Sequence, residues 1–600
     1  MAPAPAGAVR LDGLLGRALE ANRRGRLSTF ITDETSPAIA LFGPEQVALN
    51  GAGDWYGEHA GKWLVAATRA AVRADDAALL TRVRSVADWL IAQQGSDGYL
   101  GNYAPARRFM VPQPPKPPSW DGAPALRTWD IWTHTYLILG LIELWRATDE
   151  DRYLAAACGI GDLAWRTLTE GAVSIIDLGN HFGLSATVLL DGAMELWEAT
   201  GQERYRDLGK LVVAAMEAEP RNRLPSMALA NADPSEIATG KAYQLLWNLV
   251  GLAKLYRATG EPRYLTLVRN QWENVRERHL TLGGGPWGGV AHRSREVFNA
   301  ANAWSPEGYV ETCSVMAWIQ LNRELLGILG EAGFAQEIER SAYNDLLGAQ
   351  AADGEDWCYY QFPNGRRTHT TYWRCCKSSG AMALEELPAV AYGVTRDGSA
   401  AVNLLGPSSA SLDLPGVGGV TLTQAGNYPF PGLLTIGVDP SVEATFVIAV
   451  RIPDWATNAG LAVNGEKVDA SPGTYARIER RWRSGDTVTL DLPMPPVVHH
   501  AVQRNVQESV APDGEAVVQE VLHRDWIAVM RGPLAYATDL IDGFKRSETV
   551  QFDGGPMVTT DGDAAVLVHP AGRESIRFAP WYLTGDRQDG SWRLTWLETA

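Results

Sequence analysis

A ten-residue repeat constrains the fold of this chain more than any other feature of its sequence. The three copies, LWRATDEDRY, LWEATGQERY and LYRATGEPRY, end at Tyr153, Tyr205 and Tyr264. Each copy predicts the end of one helix, a turn at Thr-Asp or Thr-Gly, and the acidic first turn of the next helix. Their separations of 52 and 59 residues predict an array of helical hairpins.

The number of hairpins allows two architectures. About six or seven units, with roughly twelve helices, fit into the first 395 residues. An open solenoid and a closed (α/α)6 barrel both satisfy this count. The barrel is favoured because the chain continues into strands and does not end in the polar capping repeat that a solenoid needs.

The hydrophobic pattern changes near residue 395 from helical to alternating. Runs such as TFVIAVRIP (445–453) and TVTLDLPM (487–494) alternate and are separated by turn residues. We therefore predict a multidomain α plus β protein, as its 600 residues also require. Its expected parts are an (α/α)6-barrel domain at 1–395, a jelly-roll-like β-sandwich domain at 396–500, and a second β-sandwich region at 501–600 completed by strands from elsewhere in the chain.

Charge and cysteine content exclude several classes of protein. The net charge of -17, with no basic stripe to offset it, argues against nucleic acid and anionic membranes as partners. No stretch is apolar enough to cross a bilayer, and no secretory signal is visible. The five cysteines are an odd, sparse set that does not resemble a disulfide framework. We expect a cytoplasmic protein with free thiols.

Two short segments concentrate the thiols. Glu311-Thr312-Cys313 and Cys375-Cys376 each precede an apolar helical run. Together they offer three thiolates and one carboxylate, which is enough for a tetrahedral zinc site, and the amino terminus of a helix favours thiolate. The alternative is that these cysteines are small buried hydrophobic residues, since an adjacent pair is not a zinc-finger spacing.

The order of these segments resembles glycoside hydrolase family 127, the β-L-arabinofuranosidase family, in which an E-T-C segment and a later C-C pair bind zinc. The glycine-rich stretch 283–298 before the E-T-C also matches and supplies Glu296. The segments WYGEHAGKWLVAA (55–67), DGYLGNY (97–103) and VRIPDWA (450–456) are similar to family segments as well. The likeness covers nearly the whole chain and implies that the helical barrel carries the catalytic site.

The resemblance assigns roles to five residues. Glu311, Cys313, Cys375 and Cys376 bind Zn²⁺, Cys375 is the nucleophile, and Glu296 is the acid/base. This assignment is chemically reasonable because a metal-bound thiol is deprotonated and only the thiolate is nucleophilic. Glu296 then protonates the leaving oxygen and later deprotonates water. Without the resemblance, Glu296 is a surface carboxylate in a charged RSRE stretch.

Seven further residues are candidates for sugar binding. His134 and His181 resemble family histidines that contact the sugar, although a core histidine is an equal reading of His134. Lys241 stands where the family has a histidine, and this leaves the identity of the furanose open. The substrate-binding candidates are His134, His181, Glu58, His59, Lys241, Tyr360 and Tyr372.

We therefore predict a retaining, exo-acting glycoside hydrolase that releases a terminal furanose, by family default β-L-arabinofuranose, from an oligosaccharide or glycoside. One alternative is an (α/α)6 hydrolase or epimerase of another sugar class that uses carboxylates and histidines, for which Cys375→Ala keeps activity. Another is a non-catalytic, zinc-stabilised carbohydrate-binding protein. Exposed strand edges in the carboxy-terminal part would allow a homodimer.

Overall fold

The computed structural model describes residues 1–49, 55–110, 128–171, 173–289, 296–300, 303–370, 375–539, 549–585 and 592–599. Helices dominate up to residue 391 and strands dominate after it, which confirms the predicted change near residue 395. The helices are α1 (Gly13–Arg24), α2 (Arg26–Thr29), α3 (Pro37–Ala40), α4 (Pro44–Leu49), α5 (Glu58–Ala74), α6 (Ala77–Ala92), α7 (Asp130–Thr148), α8 (Asp151–Thr169), α9 (Leu184–Thr187), α10 (Leu189–Thr200), α11 (Glu203–Ala218), α12 (Leu224–Leu229), α13 (Ala242–Thr259), α14 (Pro262–Arg278), α15 (Thr312–Leu329), α16 (Ala332–Ser341), α17 (Leu347–Ala349), α18 (Cys375–Leu384) and α19 (Leu387–Ala391).

Left-handed turns join the long helices in pairs. The residues that follow α7, α10 and α13 are Asp149, Gly201 and Gly260, with φ of 56°, 67° and 68°. This conformation lets the backbone N–H turn back onto a carbonyl of the helix it ends. The same turn follows α5 at Asp75 and α15 at Gly330. The predicted hairpins are therefore present, and two more occur where the sequence motif is absent.

Six helices form a closed ring, because α5, α7, α10, α13, α15 and α18 each pack against the next and α18 packs against α5. Helices α7, α13 and α15 are buried on nearly every side, whereas α8, α11 and α14 bury one face and expose the other. The partly exposed helices run back along the outside of the ring. The first turns of the ring helices therefore meet at one end.

The strands that follow are short, and several early segments join them. They are β1 (Ala2–Pro3), β2 (Val9–Leu11), β3 (Trp287–Gly288), β4 (Tyr309–Glu311), β5 (Tyr360–Gln361), β6 (Asn364–Arg366), β7 (Tyr392–Val394), β8 (Ala400–Val402), β9 (Ser408–Leu414), β10 (Gly418–Gly426), β11 (Leu433–Pro440), β12 (Ala444–Arg451), β13 (Gly460–Val463), β14 (Glu466–Val468), β15 (Tyr475–Trp482), β16 (Asp486–Asp491), β17 (Pro496–Val510), β18 (Ala516–Arg531), β19 (Leu534–Asp539), β20 (Val558–Asp561), β21 (Ala565–Val568), β22 (Ile576–Pro580), β23 (Trp592–Leu594) and β24 (Leu597–Thr599).

Two sheets directly follow the helical region. One has the strand order β1-β7-β8-β12-β15 and the other β14-β13-β16-β11-β10-β9-β2. Strands β9 and β10 alternate buried and exposed residues, as expected for a sheet with one face on the core. Sequence reasoning assigned the first eleven residues to the helical domain, but β1 and β2 pair with β7 and β9. The first helix begins at Gly13.

A third sheet contains the last strands of the chain. Its order is β17-β18-β19-β22-β21-β20, with β23, β24 and β6 attached beside this path. Strand β6 comes from the helical region and pairs with β23. A separate sheet of β3, β4 and β5 lies next to α15 and brings Glu311 opposite Tyr360.

The hairpin of β17 and β18 is the longest pair of strands, with 15 and 16 residues. We call residues 502–525 of this hairpin the arm. Nearly all of its residues are exposed on both strands. Among the residues that the structure describes, no helix has both the length and the apolar character needed to cross a membrane.

Candidate functional site

Three thiols and one carboxylate meet where α15 and α18 begin. The Sγ atom of Cys313 lies 3.2 Å from that of Cys376 and 3.6 Å from that of Cys375, and the Sγ atoms of Cys375 and Cys376 are 4.0 Å apart. The Sγ atom of Cys376 is 3.9 Å from Oε1 of Glu311. The four candidate ligand atoms all lie within 4.8 Å of one another. These are the four residues that the sequence proposed as metal ligands.

Local structure explains why these side chains converge. Glu311 ends β4, pairs with Tyr360 of β5, and immediately precedes α15. Cys313 lies in the first turn of α15, and Cys375 and Cys376 begin α18. Because α15 packs against α18 in the ring, the two first turns are neighbours. The positive ends of both helix dipoles point toward the cluster and favour negative charge there.

The ionisable groups of the cluster differ in pKa. Burial raises the pKa of the Cys313 and Cys376 thiols well above the usual value. Hydrogen bonds from these two thiols lower the pKa of Cys375 well below it. Burial, reinforced by the nearby Glu296, raises the pKa of Glu311 to about 8. Cys375 is therefore the thiol of this group that most readily carries negative charge.

The donor set is suitable for a metal ion. A tetrahedral zinc site with bonds of about 2.3 Å separates its sulfur atoms by about 3.8 Å, close to the separations in this cluster. Three sulfurs and one carboxylate oxygen are ligands that zinc accepts. All four residues are buried, so that water competes little for the same positions. The cluster can hold a metal ion with only small movements of its side chains.

Glu296 stands on a strained loop beside the cluster. Its φ is 78°, in the left-handed region that residues other than glycine rarely adopt. The carbonyl of Glu296 accepts a hydrogen bond from the N–H of Ala242, and the N–H of Phe298 donates to Gly240. The hydroxyls of Tyr359 and Tyr360 donate to Oε1 of Glu296 at 2.8 and 2.6 Å. The loop and the two phenols fix the position of this carboxylate.

Lys241 connects Glu296 to the thiol cluster. Its Nζ donates to Oε2 of Glu296 and, at 3.2 Å, to Oε2 of Glu311. The side chain is only 4% exposed. Burial alone would lower its pKa, but the two carboxylates outweigh burial and raise the pKa. Lys241 is therefore a buried cation whose charge is balanced by protein carboxylates.

Some of the candidate residues surround one cavity of about 580 Å³, within the range typical of small-molecule sites. Seven of the residues that the sequence proposed line it, including Cys375 and Glu296. The full lining consists of Trp55, Glu58, Trp129, Trp132, Asn180, His181, Lys241, Tyr243, Gln244, Glu296, Glu311, Tyr359, Tyr360, Thr370 and Cys375.

Two buried polar residues of α5, Glu58 and Lys62, lie close to the cluster. Glu58 lines the cavity, accepts a hydrogen bond from Nε1 of Trp132, and lies 3.1 Å from Nζ of Lys62. Burial raises the pKa of Glu58 to about 7. Nζ of Lys62 donates to Oγ of Ser379 at 2.9 Å, and this Oγ is 3.2 Å from Sγ of Cys313. Lys62 thus contacts the cluster indirectly, through the hydroxyl of Ser379.

The other proposed sugar-binding residues have different surroundings. His181 lines the cavity, and its Nδ1 lies 2.9 Å from Oγ1 of Thr239. His59 is fully buried behind the cavity, with Nδ1 2.7 Å from Oγ of Ser378. His134 is also fully buried and packs against the rings of Tyr99 and Phe109, and burial lowers its pKa to about 3. In the described part of the chain, His59 and His134 are not among the lining residues.

Tyr372 lies outside the described residues. Sequence reasoning missed Lys62 and the aromatic residues Trp55, Trp129 and Trp132. The tryptophans carry a usable signal, since each lies just before or within the first turn of a ring helix, at the same end as the cysteines. Lys62 carries a weaker one, as a single charge inside the apolar run AGKWLVAA.

Two family models match the chain. The model of the β-L-arabinofuranosidase GH127 catalytic domain matches residues 21–389, which is more than half of the chain. The model of the GH127 middle domain matches residues 399–494.

Individual relatives agree with these matches. A non-reducing end β-L-arabinofuranosidase of Bifidobacterium longum subsp. longum is 20% identical over 531 residues, which cover 80% of this chain and 75% of that protein. The crystal structure of a GH127 β-L-arabinofuranosidase from Geobacillus stearothermophilus superposes with a TM-score of 0.77 at 20% identity, and covers 99% of this chain and 100% of that one. A further GH127 β-arabinofuranosidase gives a TM-score of 0.78 at 20% identity, covering 100% and 98% of the two chains. These structures share the fold of this chain.

Proposed function

Since the chain belongs to glycoside hydrolase family 127, we propose that it is a retaining, exo-acting hydrolase that releases terminal β-L-arabinofuranose from an oligosaccharide or glycoside. Family membership makes the chain a glycoside hydrolase; the sugar and the mechanism are the proposal. One observation carries it. The hydroxyl of Tyr359 contacts both Sγ of Cys375, at 3.6 Å, and Oε1 of Glu296, at 2.8 Å, at the wall of one cavity. One phenol thus contacts both the proposed nucleophile and the proposed proton donor, which supports their acting on the same sugar.

The architecture supports the same proposal. The closed ring of six helices, with returning helices outside it, supports an (α/α)6-barrel catalytic domain within the expected range 1–395. The first eleven residues are excepted, because their strands join the later sheets. The sheets after it agree with a jelly-roll-like β-sandwich at 396–500 and a second sandwich region at 501–600. Strand β6, which pairs with β23, is a strand of the kind expected to complete that last region.

We assign Zn²⁺ to the cluster of Glu311, Cys313, Cys375 and Cys376. When bound, zinc keeps its thiol ligands deprotonated at neutral pH and so makes a nucleophilic thiolate available. The separations between the ligand atoms support this choice of ion. Lys62 and Lys241, two buried cations on either side of the cluster, offset the negative charge of its ligands.

In the first step, Sγ of Cys375 attacks the anomeric carbon, a C–S bond forms, and the glycosidic C–O bond breaks. For this role Glu296 must be protonated in the substrate complex, and it gives that proton to the leaving oxygen. In the second step, Glu296 takes a proton from water, whose oxygen attacks the same carbon, and the C–S bond breaks. Two inversions at one carbon retain its configuration. The phenols of Tyr359 and Tyr360 keep Glu296 oriented in both steps.

The remaining candidates have separate parts in the proposal. Glu58 and His181 line the cavity and contact sugar hydroxyls, and Tyr360 closes the side next to Glu296. Lys241 positions Glu296 against Glu311, and its place in the cavity wall leaves it within reach of the sugar. His59 and His134 are buried next to the cavity and support its lining residues without contacting the sugar. Tyr372 remains a sequence-based candidate for stacking on the sugar.

The proposed function is tested with a set of 4-nitrophenyl glycosides. We expect the β-L-arabinofuranoside to be hydrolysed faster than the α-L-arabinofuranoside, the β-D-arabinofuranoside and the β-D-glucopyranoside. Proton NMR during the first turnovers is expected to show β-arabinofuranose before mutarotation. Equal rates on all four compounds, or α-configured first product, would contradict the proposal.

Glu296→Gln is expected to lower kcat/KM on a methyl β-L-arabinofuranoside by about 10²–10⁴-fold, because the poor leaving group needs protonation. The loss on the 4-nitrophenyl glycoside is expected to be much smaller in the first step, because nitrophenolate leaves without a proton. Steady-state kinetics on the two substrates measure the difference.

Glu277→Gln, on the exposed surface of α14, is the matched control and is expected to behave as wild type on both substrates. Equal losses on the two substrates in Glu296→Gln would show that Glu296 does not act as the acid.

We also propose that two copies pair through the arm. Val506, Val510 and Val518 are 38%, 73% and 66% exposed. Val518 pairs directly with Glu508, and directly paired residues of a hairpin lie on the same face. Val506 and Val510 each lie two positions from Glu508 on the same strand, so all three valines share that face. Glu508 and Glu520 lie on this face as well. An uncovered two-stranded hairpin is marginally stable in water, and a second copy offers the same valines and the same strand edge. A symmetric dimer covers both arms at once.

The double variant Val510→Lys with Val518→Lys is expected to be monomeric at concentrations where the wild type is dimeric, as measured by light scattering after gel filtration. Val442→Lys is the control, since Val442 is 67% exposed but lies outside the arm. A monomeric wild type, or a double variant that remains dimeric, would contradict pairing through the arm.

A further inference from the structure

Three consecutive buried residues of one helical turn contact three different parts of the fold. Residues Ala342–Leu346 form a π-helical turn between α16 and α17, a kind of turn often found at functional sites. The hydroxyl of Tyr343 donates to the loop before β9. The amide oxygen of Asn344 accepts from the N–H of Ala535, in β19, at 2.8 Å. The third residue, Asp345, contacts neither sheet through its carboxylate, which bonds to the helical domain instead.

The carboxylate of Asp345 holds the turn that connects α14 to β3. Its Oδ2 accepts a hydrogen bond from Oγ1 of Thr281 at 2.7 Å and one from the N–H of Gly285 at 2.6 Å. A Cβ atom on Gly283 or on Gly285 would lie only 2.7 or 2.6 Å from the same Oδ2. The carboxylate therefore occupies the space that a side chain at either position would need, and this close approach explains part of the glycine-rich sequence.

The position of this turn determines the position of β3, which lies between two segments of the candidate site. On one side, β3 pairs with β4, the strand that ends at Glu311. On the other side, Gly288 of β3 forms a bridge with Phe298, two residues after Glu296. A displacement of β3 is therefore transmitted to the segments that carry both carboxylates.

The backbone of Asp345 holds the opposite edge of the same small sheet. Its carbonyl accepts a hydrogen bond from Nε2 of Gln361, in β5, at 2.6 Å. Gln361 is fully buried and follows Tyr360, whose hydroxyl donates to Glu296. Since the strand order is β3-β4-β5, Asp345 is bonded directly to one outer strand and, through the glycine turn, to the other. The middle strand, which ends at Glu311, lies between them.

We infer that Asp345 is a positioning residue, which holds Glu296, Tyr360 and Glu311 in their relative places without touching the substrate. Among the described residues, it is not one of those that line the cavity. A displacement of about 1 Å at a reacting group lowers a rate by up to about 100-fold. The kinetic consequences of this inference rest on the proposed function, whereas its consequence for a metal ion held by Glu311 does not depend on the sugar.

Asp345→Ala removes the acceptor for both hydrogen bonds and keeps the backbone carbonyl. It is expected to lower kcat on methyl β-L-arabinofuranoside by about 10–100-fold, with a change in KM of less than about threefold. The loss on the 4-nitrophenyl glycoside is expected to be several times smaller, because a displaced Glu296 matters most for the poor leaving group. Asp345→Asn, whose amide oxygen can accept from the same two donors, is expected to recover most of the lost kcat.

The rate of zinc release to a chelator gives a second measurement that does not depend on activity. Release from Asp345→Ala is expected to be about 10–100 times faster than from wild type, because Glu311 is displaced. Tyr343→Phe is the matched control, since it removes one buried hydrogen bond of the same turn that leads away from the site. It is expected to lower the midpoint of thermal unfolding and to leave zinc release and the ratio of the two substrates unchanged.

Equal losses of kcat on the two substrates in Asp345→Ala, with zinc release at the wild-type rate, would show that Asp345 only stabilises the fold and would overturn the inference. Asp345→Asn as impaired as Asp345→Ala would overturn it as well. If Asp345→Ala does not fold, Thr281→Val removes one donor alone and is expected to lower kcat on the methyl glycoside by about 2–10-fold, and no loss there would contradict the inference. A wild type that hydrolyses neither glycoside refutes the proposed function, and zinc release then decides the role of Asp345.

Discussion

Replacing Cys375 by alanine is expected to lower kcat by about 10⁴–10⁶-fold, the loss typical of removing a covalent nucleophile. Alanine leaves the cavity and Glu296 in place but provides no atom that can bond to the anomeric carbon. The measurement is steady-state kinetics on 4-nitrophenyl β-L-arabinofuranoside, with circular dichroism to verify folding. Mass spectrometry of wild type quenched during turnover is expected to find one pentosyl group on the peptide that contains Cys375.

Cys158→Ala is the matched control, because this half-buried thiol lies on α8, outside the cluster. Its kcat is expected to equal that of the wild type. If Cys375→Ala kept activity within tenfold of wild type, the thiolate mechanism would be wrong. The carboxylates and histidines of the cavity would then have to carry the reaction, as in the alternative weighed from the sequence.

The second large effect is expected at the metal site. Wild type is expected to contain about one zinc per chain, and Cys376→Ala almost none after dialysis against a chelator. Removing a direct ligand costs far more metal affinity than the about 10–100-fold that loss of an outer partner costs. Activity and the midpoint of thermal unfolding are expected to fall together with the metal content. Elemental analysis and calorimetry on the same samples measure all three.

Cys158→Ala again serves as the control and is expected to retain its zinc. Adding zinc to chelated wild type is expected to restore activity, whereas adding it to Cys376→Ala is not. A wild type that is folded, active and free of zinc would remove the ion from the mechanism. In that case the low pKa of Cys375 would have to come from its neighbouring thiols, with help from Lys62 and the hydroxyl of Tyr359.

Local signals made the helical region predictable from the sequence. Each hairpin turn depends on a few adjacent residues, such as Thr-Gly followed by an acidic residue, and these survive in any tertiary context. Closure of the ring is different, because it depends on contacts between α5 and α18, more than 300 residues apart. Periodicity alone left a solenoid open for that reason.

The site was predictable to a similar degree. The E-T-C and C-C segments identified all four residues of the cluster, since their chemistry is unusual at any position. The partners of Lys241 were not predictable, because they depend on how the strained loop at Glu296 packs against the start of α13. His134 shows the same limit, since the sequence cannot decide which side of a buried helix its ring faces.

The pairing of β1 with β7 and of β2 with β9 has a consequence for biosynthesis. These strands join residues 2–11 to residues 393–410, so their partners leave the ribosome nearly 400 residues later. At about 5–20 residues per second, the early strands wait for about 20–80 s with unpaired edges. A nascent chain of this kind needs chaperones to cover its unpaired strand edges during that interval. A gene shortened after residue 391, before β7 and β9, would leave both early strands of its product without partners permanently.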